Sequence, residues 1–159
     1  MEKVLVTGAT GYIALHCVQQ LLDQGYAVNG SIRSPERKNE VIEALKNSGT
    51  STENLNLYVF DLTNDEGWDD GMEGCDYLMH VASPLALENH TEDYFVKPAV
   101  AGAKRALKFA KKHSVKKVVL TSSVAAIFET GEEKIFYDES DWSDPDNPNT
   151  VSYTHLTLP

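Results

Sequence analysis

A glycine-rich segment near the start of the chain restricts the fold more than any other feature. The sequence TGATGYIA, at residues 7–14, follows a short apolar run and opens a stretch with helical spacing of apolar residues. In such a strand–turn–helix, Gly8 permits the tight turn, Gly11 lets a pyrophosphate approach the backbone, and the small Ala14 lets the helix pack on the strand. The segment predicts a dinucleotide site that includes Thr7, Gly8, Thr10, Gly11, Tyr12 and Ile13.

The anion is expected to bind to the free N–H groups at the start of the helix, where the helix dipole is positive. A kinase-type phosphate loop is excluded, because no Gly-Lys-Ser/Thr follows the glycines. The simpler alternative is a glycine-rich turn that binds nothing. The strand before the segment and the helix after it favour the dinucleotide site.

Strand-like and helix-like segments alternate along the rest of the chain. Strands are predicted at residues 3–7, 27–33, 55–60, 76–82 and 115–120, and helices after residue 11, at 35–46 and at 92–113. Strands separated by helices of this length pair in parallel through right-handed crossovers. We therefore predict an α/β fold of the Rossmann type, with a doubly wound parallel sheet.

The end of the second predicted strand bears on the choice of cofactor. Sites for NAD carry an acid about 20 residues past the glycines, which accepts a hydrogen bond from the ribose 2′-hydroxyl. Here the strand ends GSIR at residues 30–33 without an acid, and Arg33, Arg37 and Lys38 offer positive charge to a 2′-phosphate. NADP is therefore favoured, with NAD as the alternative. In the simpler case these are ordinary surface cations at a helix start.

Further motifs follow in order along the chain. They are DLT at 61–63, HVASP at 80–84, KPAVAG at 97–102, LTSS at 120–123 and DESDW at 138–142. With the glycine-rich segment they resemble an extended short-chain dehydrogenase/reductase of the NAD-dependent epimerase/dehydratase superfamily. Within it the chain is most similar to the dihydroflavonol reductase, cinnamoyl-CoA reductase and yeast-type ketoreductase group. Each motif is weak alone, but their order and spacing over residues 2–149 are specific.

The resemblance implies a role for two strand ends in binding the cofactor. Asp61 would accept from the adenine amino group while Leu62 packs on the ring. Val81, Ala82 and Ser83 would line the ribose and nicotinamide side of the crevice. Asp61 has a simpler alternative as a turn-former after a strand. His80, in an apolar strand, is interpreted as a satisfied core histidine.

The resemblance also implies that Ser123 is the catalytic serine, whose hydroxyl polarises the substrate carbonyl. Ser122 is the weaker candidate, and a capping or turn serine is the structural alternative. The family's proton donor is a tyrosine with a lysine four residues later. Tyr153 stands near that place, but Thr157 occupies the lysine position. The last strands and the substrate domain of the family are missing, so we expect an incomplete sheet and an inactive fragment.

The end of the chain is expected to be foreign to it. Residues 1–149 are predicted to be a truncated dinucleotide-binding Rossmann domain, and residues 150–159 a non-native tail. The last nine residues, VSYTHLTLP, are a translation of GTC TCT TAT ACA CAT CTG ACG CTG CCG, which resembles a transposase-based sequencing-library adapter. The adapter's preceding CT fits an ACT codon for Thr150. The alternative is a natural, degenerate C-terminus.

Charge and composition exclude several classes of partner. The net charge is −10, and from Glu129 onward eight acids stand against Lys134 alone. A negative chain repels phosphate backbones, so no nucleic-acid partner is expected. No apolar run approaches the roughly 20 residues that span a bilayer, and the start lacks a signal-peptide pattern. Cys17 and Cys75 cannot alone build a disulfide framework or a zinc site, so we expect a cytoplasmic protein without a metal.

The features together predict an NADP(H)-dependent oxidoreductase that acts on the CH–OH/C=O group of an aldehyde, ketone or acyl thioester. A sugar-nucleotide epimerase or dehydratase is the rival that shares the cofactor half. A non-catalytic dinucleotide-binding sensor is the rival from another class. Arg33 and the segment at 138–142 favour the reductase. The expected partner is a small carbonyl substrate, and the oligomeric state stays open.

Overall fold

Five parallel strands form one sheet in the computed structural model, which describes residues 1–83, 92–128 and 134–143. The strands are β1 (Lys3–Val6), β2 (Ala27–Ile32), β3 (Leu55–Val59), β4 (Tyr77–His80) and β5 (Lys117–Leu120). Their order across the sheet is β3-β2-β1-β4-β5, and every neighbouring pair is parallel. The doubly wound sheet predicted from the alternation of elements is thereby confirmed.

The helices lie between the strands. They are α1 (Tyr12–Asp23), α2 (Lys38–Asn47), α3 (Trp68–Met72), α4 (Glu92–Lys112) and α5 (Ala125–Phe128). The predicted helix at 35–46 begins instead as a 3-10 turn, Pro35–Arg37, because Pro35 has no N–H to donate and suits a first turn. All five strands are one to three residues shorter than predicted, and the two short helices were not predicted.

The chain divides into two compact units. The first consists of Met1–Ser83 and Gly102–Thr121 and contains the whole sheet. The second consists of Pro84–Ala101 and Ser122–Pro159. No helix of the described ranges is long and apolar enough to cross a membrane.

Alternation along β1 gives the sheet two apolar faces. Val4 and Val6 pack on one side and Leu5 on the other, because successive side chains of a strand point to opposite faces. The first face packs against residues of α1 and α2, namely Ala14, Val18, Val41 and Leu45. The second packs against residues of α3 and α4, namely Trp68, Met72, Ala106, Phe109 and Ala110. Burial on both faces explains why β1 is a continuous apolar run after Lys3.

The direction of winding reverses between β1 and β4. The chain passes outward from β1 through β2 to β3, and then returns to place β4 on the other side of β1. At such a switch point the connections diverge to opposite faces, which leaves a crevice beyond the carboxyl ends of the two strands. Thr7 follows β1 and Val81 follows β4, so the glycine-rich segment and the HVAS motif meet at this crevice.

Candidate functional site

The glycine-rich segment turns sharply as it leaves β1. Gly8 has a φ of 73°, a left-handed conformation that residues with a Cβ avoid. The N–H of Gly11 donates to the carbonyl oxygen of Gly8 at 2.8 Å, which closes the turn. A Cβ built on Gly8 would lie 2.9 Å from Cβ of Ala82. Gly8 is therefore required both for its backbone conformation and for the close approach of the residues after β4.

Replacing Gly8 with alanine should destabilise the protein more than the same change at Gly25. Both glycines have positive φ, 73° and 84°, and both changes cost about 1–2 kcal/mol on that account. Only Gly8 lacks space, since nothing lies within 4 Å of a Cβ on Gly25. The crowding should add about 1–3 kcal/mol to the loss in free energy of unfolding. Denaturant titration measures both variants, and equal losses would contradict the assigned role of Ala82.

Ser31 holds the glycine turn from the neighbouring strand β2. Its hydroxyl oxygen accepts from the N–H of Gly8 at 2.8 Å, and its carbonyl accepts from the N–H of Ala9 at 2.8 Å. Ser31 is buried, so these bonds are shielded from water and are costly to leave unmade. From the sequence, residues 30–33 were considered for the missing acid and for Arg33, and Ser31 was given no role. The available signal was a small polar residue at the end of the strand beside the glycines.

The start of α1 carries the donors that an anion needs. The first N–H groups of a helix have no acceptor within it. In the described part of the chain the N–H groups of Thr10, Tyr12 and Ile13 have no hydrogen-bond acceptor. The side chains of Tyr12 and Ile13 are 81% and 58% exposed and do not close the helix end from solvent. These donors and the helix dipole fit a pyrophosphate.

Thr7 joins the end of β1 to the end of β4. Its buried hydroxyl oxygen accepts from the N–H groups of Val81 at 3.0 Å and Ala82 at 3.1 Å, and it lies 3.0 Å from Nδ1 of His80. His80 is buried and hydrogen-bonded, in agreement with its interpretation as a satisfied core histidine. Val81 and Ala82 are half-buried and Ser83 is exposed. The structure thus joins Val81 and Ala82 to Thr7 and places Ala82 next to Gly8.

The three predicted cations at the end of β2 differ in their surroundings. Arg33 is exposed immediately after the strand. Arg37 is bound in a fork by Glu40, with Nε and Nη2 at 2.8 and 2.7 Å from the two carboxylate oxygens. This pair competes with any phosphate for Arg37. Lys38 is exposed on the first residue of α2. Arg33 is therefore the best placed of the three to meet a 2′-phosphate.

Asp61 forms a turn at the end of β3. Its Oδ1 accepts from the N–H and the hydroxyl of Thr63 at 2.8 and 2.7 Å. These two bonds lower the pKa of the Asp61 carboxyl, and the charges of Arg33 and Arg105 lower it further. The turn-forming role is thus present in the structure. Oδ2 accepts no hydrogen bond from any described residue, which leaves the adenine contact as a prediction compatible with the turn.

The residue after Asp61 is held by α4. Arg105 donates from Nη1 to the carbonyl of Leu62 and from Nε to Asp65. A Cβ on Gly102 would lie 3.2 Å from Cβ of Leu62, so the glycine of the 97–102 motif lets the helix approach closely. Neither Arg105 nor Gly102 was assigned a role in the site from the sequence. Both fix the backbone at the place where an adenine ring is expected.

Ser123 belongs to the second unit. It comes three residues after β5 rather than at the strand end as predicted, and its carbonyl accepts from the N–H of Ala126 at 3.0 Å. Ser123 is half-buried, whereas Ser122 is exposed. In the same unit Ser143 donates from its N–H to the carbonyl of Ala126 at 2.8 Å. The 138–142 motif therefore leads directly into a bond with the helix that follows Ser123.

The predicted positions Tyr153 and Thr157 lie outside the described residues. So does the whole of the proposed tail at 150–159. The 138–142 motif is described, and within it Asp138 accepts from the N–H and hydroxyl of Ser140 at 2.8 and 2.6 Å. These bonds lower the pKa of the Asp138 carboxyl. Its role in the structure is thus to form a turn.

The sequence model of a protein family, described as the NAD dependent epimerase/dehydratase family, matches residues 4–154. The chain is 37% identical over 145 residues to a dihydroflavonol 4-reductase of Solanum lycopersicum, covering 90% of this chain and 38% of that protein. Its structure is similar to yeast methylglyoxal/isovaleraldehyde reductase Gre2 complexed with NADPH, with a TM-score of 0.80, 30% identity, and coverage of 97% of this chain and 49% of the other.

A second solved structure is similar over the same extent. Vestitone reductase from alfalfa (Medicago sativa) matches with a TM-score of 0.78 and 33% identity, covering 98% of this chain and 50% of the other. The chain spans 38% of the tomato relative and about half of the two solved chains.

Proposed function

This chain belongs to the NAD dependent epimerase/dehydratase family, and we propose that the full-length protein is an NADP(H)-dependent carbonyl reductase. Its substrate is an aldehyde, a ketone or an acyl thioester. The observation that carries the proposal is the turn at residues 8–13, which presents unpaired N–H groups at the crevice beyond β1 and β4. The reductases among its relatives support the class of reaction.

Different residues of the first unit bind different parts of the cofactor. The N–H groups of Thr10, Tyr12 and Ile13 hold the pyrophosphate, with Gly8 and Gly11 allowing its approach. Arg33 binds the 2′-phosphate, and among the described residues it forms no salt bridge with a carboxylate such as the one between Arg37 and Glu40. Asp61 and Leu62 hold the adenine. The backbone of residues 81–83 lines the ribose and nicotinamide side.

Ser123 has the proposed catalytic role. When bound, NADPH supplies the hydride that reduces the carbonyl carbon. The Ser123 hydroxyl donates a hydrogen bond to the carbonyl oxygen, which polarises the bond and stabilises the negative charge that develops there. The proton that completes the alcohol would come, as the family resemblance implies, from a tyrosine with a lysine four residues later. Tyr153 is not assigned this role, because Thr157 stands where the family's lysine would lower the tyrosine pKa.

Because Arg33 is assigned to the 2′-phosphate, we expect it to control a preference for NADPH over NADH. NADPH should bind the full-length protein at least about tenfold more tightly than NADH, a difference of about 1.4 kcal/mol. Arg33→Asp should narrow or reverse this preference, because it removes the cation and introduces an acceptor for a 2′-hydroxyl. Titration calorimetry with both cofactors measures it.

Lys46→Asp is the matched control for Arg33→Asp. It makes the same change of charge at an exposed position in the last turn of α2 and should leave the preference unchanged. Equal affinities of the wild type for NADPH and NADH would contradict the assignment of NADP.

The reaction itself is tested by net oxidation of NADPH in the presence of aldehydes, ketones and acyl thioesters. The proposal expects stoichiometric oxidation with at least one of these classes. Conversion of a sugar nucleotide without net consumption of cofactor would instead identify the epimerase or dehydratase activity and contradict the reductase.

A further inference from the structure

Among the described residues the Thr7 hydroxyl has three hydrogen-bonding neighbours, and together they fix the direction of its proton. A hydroxyl carries one hydrogen and two lone pairs. Both lone pairs are used by the N–H groups of Val81 and Ala82, at 3.0 and 3.1 Å. The hydrogen must therefore point at Nδ1 of His80, which lies 3.0 Å away. Nδ1 of His80 is consequently an acceptor.

The same three bonds fix the protonation state of the imidazole. An unprotonated Nδ1 places the single ring proton on Nε2, which is the neutral tautomer. Burial lowers the pKa of His80 to about 4, so the neutral ring is the state at physiological pH. A protonated ring would bring a third N–H to a hydroxyl oxygen whose lone pairs are both in use. The three bonds are compatible only with neutral His80.

The backbone held by Thr7 borders the glycine turn. Ala82 receives one of the two hydroxyl bonds, and its Cβ is the atom that a side chain on Gly8 would meet at 2.9 Å. Ala82 thus limits the space on one side of the turn at Gly8. His80 itself is buried, 4% exposed, and its ring centre lies 6.5 Å from that of Trp68. Among the described residues the hydrogen-bond partner of its ring is Thr7.

We propose that His80 is a positioning residue for the dinucleotide: by orienting the Thr7 hydroxyl it holds the backbone of Val81 and Ala82 against the glycine turn. The proposal rests on the proposed dinucleotide site. It gives a buried side chain a specific task, since a histidine that only filled space would need no acceptor at Nδ1. Any residue with an acceptor on Cγ in this place should perform the same task.

The test compares two replacements of His80 in the full-length protein. His80→Asn keeps an acceptor on Cγ, where Nδ1 was, whereas His80→Leu keeps apolar volume and removes the acceptor. Both lose the imidazole beside Trp68. Hydrogen exchange of the Val81 and Ala82 amides reports on the turn without any ligand, and titration with NADPH reports on the site.

His80→Leu should accelerate exchange of the Val81 and Ala82 amides about tenfold relative to amides of β3, and should weaken NADPH binding about tenfold. His80→Asn should stay within about threefold of wild type in both measurements. In a Thr7→Val background, His80→Leu should add nothing to the NADPH loss, because the hydroxyl through which it acts is gone. If His80→Leu does not fold, the same comparison is made at Thr7. Thr7→Val removes the hydroxyl that bonds to His80, whereas Thr7→Ser keeps it.

Two results would overturn the proposal. In one, His80→Asn is as impaired as His80→Leu, so that packing of the ring explains the effect. In the other, the His80→Leu variant has the exchange rates of the wild type at the Val81 and Ala82 amides and the same affinity for NADPH. A wild type that protects these amides yet binds neither NADPH nor NADH contradicts the proposed function instead, and the exchange data then still decide whether His80 holds the turn.

Discussion

Replacing Ser123 with alanine in the full-length protein should lower the turnover of carbonyl reduction by about 100-fold or more. Loss of one hydrogen-bond donor to a developing oxyanion typically has this effect. The affinity for NADPH should barely change, because the proposed cofactor contacts lie in other residues. Steady-state kinetics and cofactor titration of the same preparation separate the two quantities.

Ser122→Ala is the neighbouring control for Ser123→Ala. Ser122 is exposed where Ser123 is half-buried, and its replacement should leave turnover within about twofold, as for a surface change away from the chemistry. If Ser122→Ala is the damaging change, the catalytic position has been misassigned by one residue. If neither change slows the reaction, the role inferred from the family resemblance is wrong for this chain.

Acidification from pH 6.5 to pH 4 should lower the free energy of unfolding by about 3 kcal/mol through His80 alone. Burial lowers the pKa of the folded His80 from its ordinary value of 6.5 to about 4. Between these values the unfolded chain takes up a proton that the folded protein excludes, so stability falls as the pH falls. Each pH unit in this interval corresponds to about 1.4 kcal/mol. Denaturant titrations at several pH values measure the effect.

His80→Asn isolates this contribution. Carboxyl groups such as Asp61 and Asp76 also have lowered pKa values in the folded protein, but they titrate alike in the wild type and the variant. The difference in stability between the two proteins should be constant above pH 7 and should shrink by about 3 kcal/mol by pH 4. A difference that does not depend on pH would mean that the folded protein accepts the proton on His80 without cost.

The arrangement of the sheet could be predicted because it depends on local patterns. Strand-like runs of five to seven residues, separated by helices, leave few alternatives to a parallel sheet with right-handed crossovers. The family resemblance drawn from ordered short motifs is confirmed by the match over residues 4–154. The short helices α3 and α5 escaped prediction because five and four residues are too few to display a period of 3.6.

Contacts between distant residues could not be predicted from the sequence. Ser31 reaches the glycine turn across 23 residues, and Thr7 meets His80 across 73. No spacing rule connects such pairs, since their meeting depends on β1 lying between β2 and β4. Arg37 shows the opposite case, in which a contact expected from the sequence meets a competitor in the structure. Its position favoured a phosphate contact, but the fork that it forms with Glu40 is a competing interaction visible only with side chains in place.

The most direct test of the whole account is the response of backbone amides to NADPH in the full-length protein. Amide ¹⁵N–¹H shifts report the local environment of each N–H group. We expect saturating NADPH to shift the amides of Thr10, Tyr12 and Ile13 and those of residues 81–83, and NADH at the same concentration to shift them less. Tight binding of NADPH that leaves the amides of Thr10, Tyr12 and Ile13 unmoved would contradict the assignment of this turn as the cofactor site.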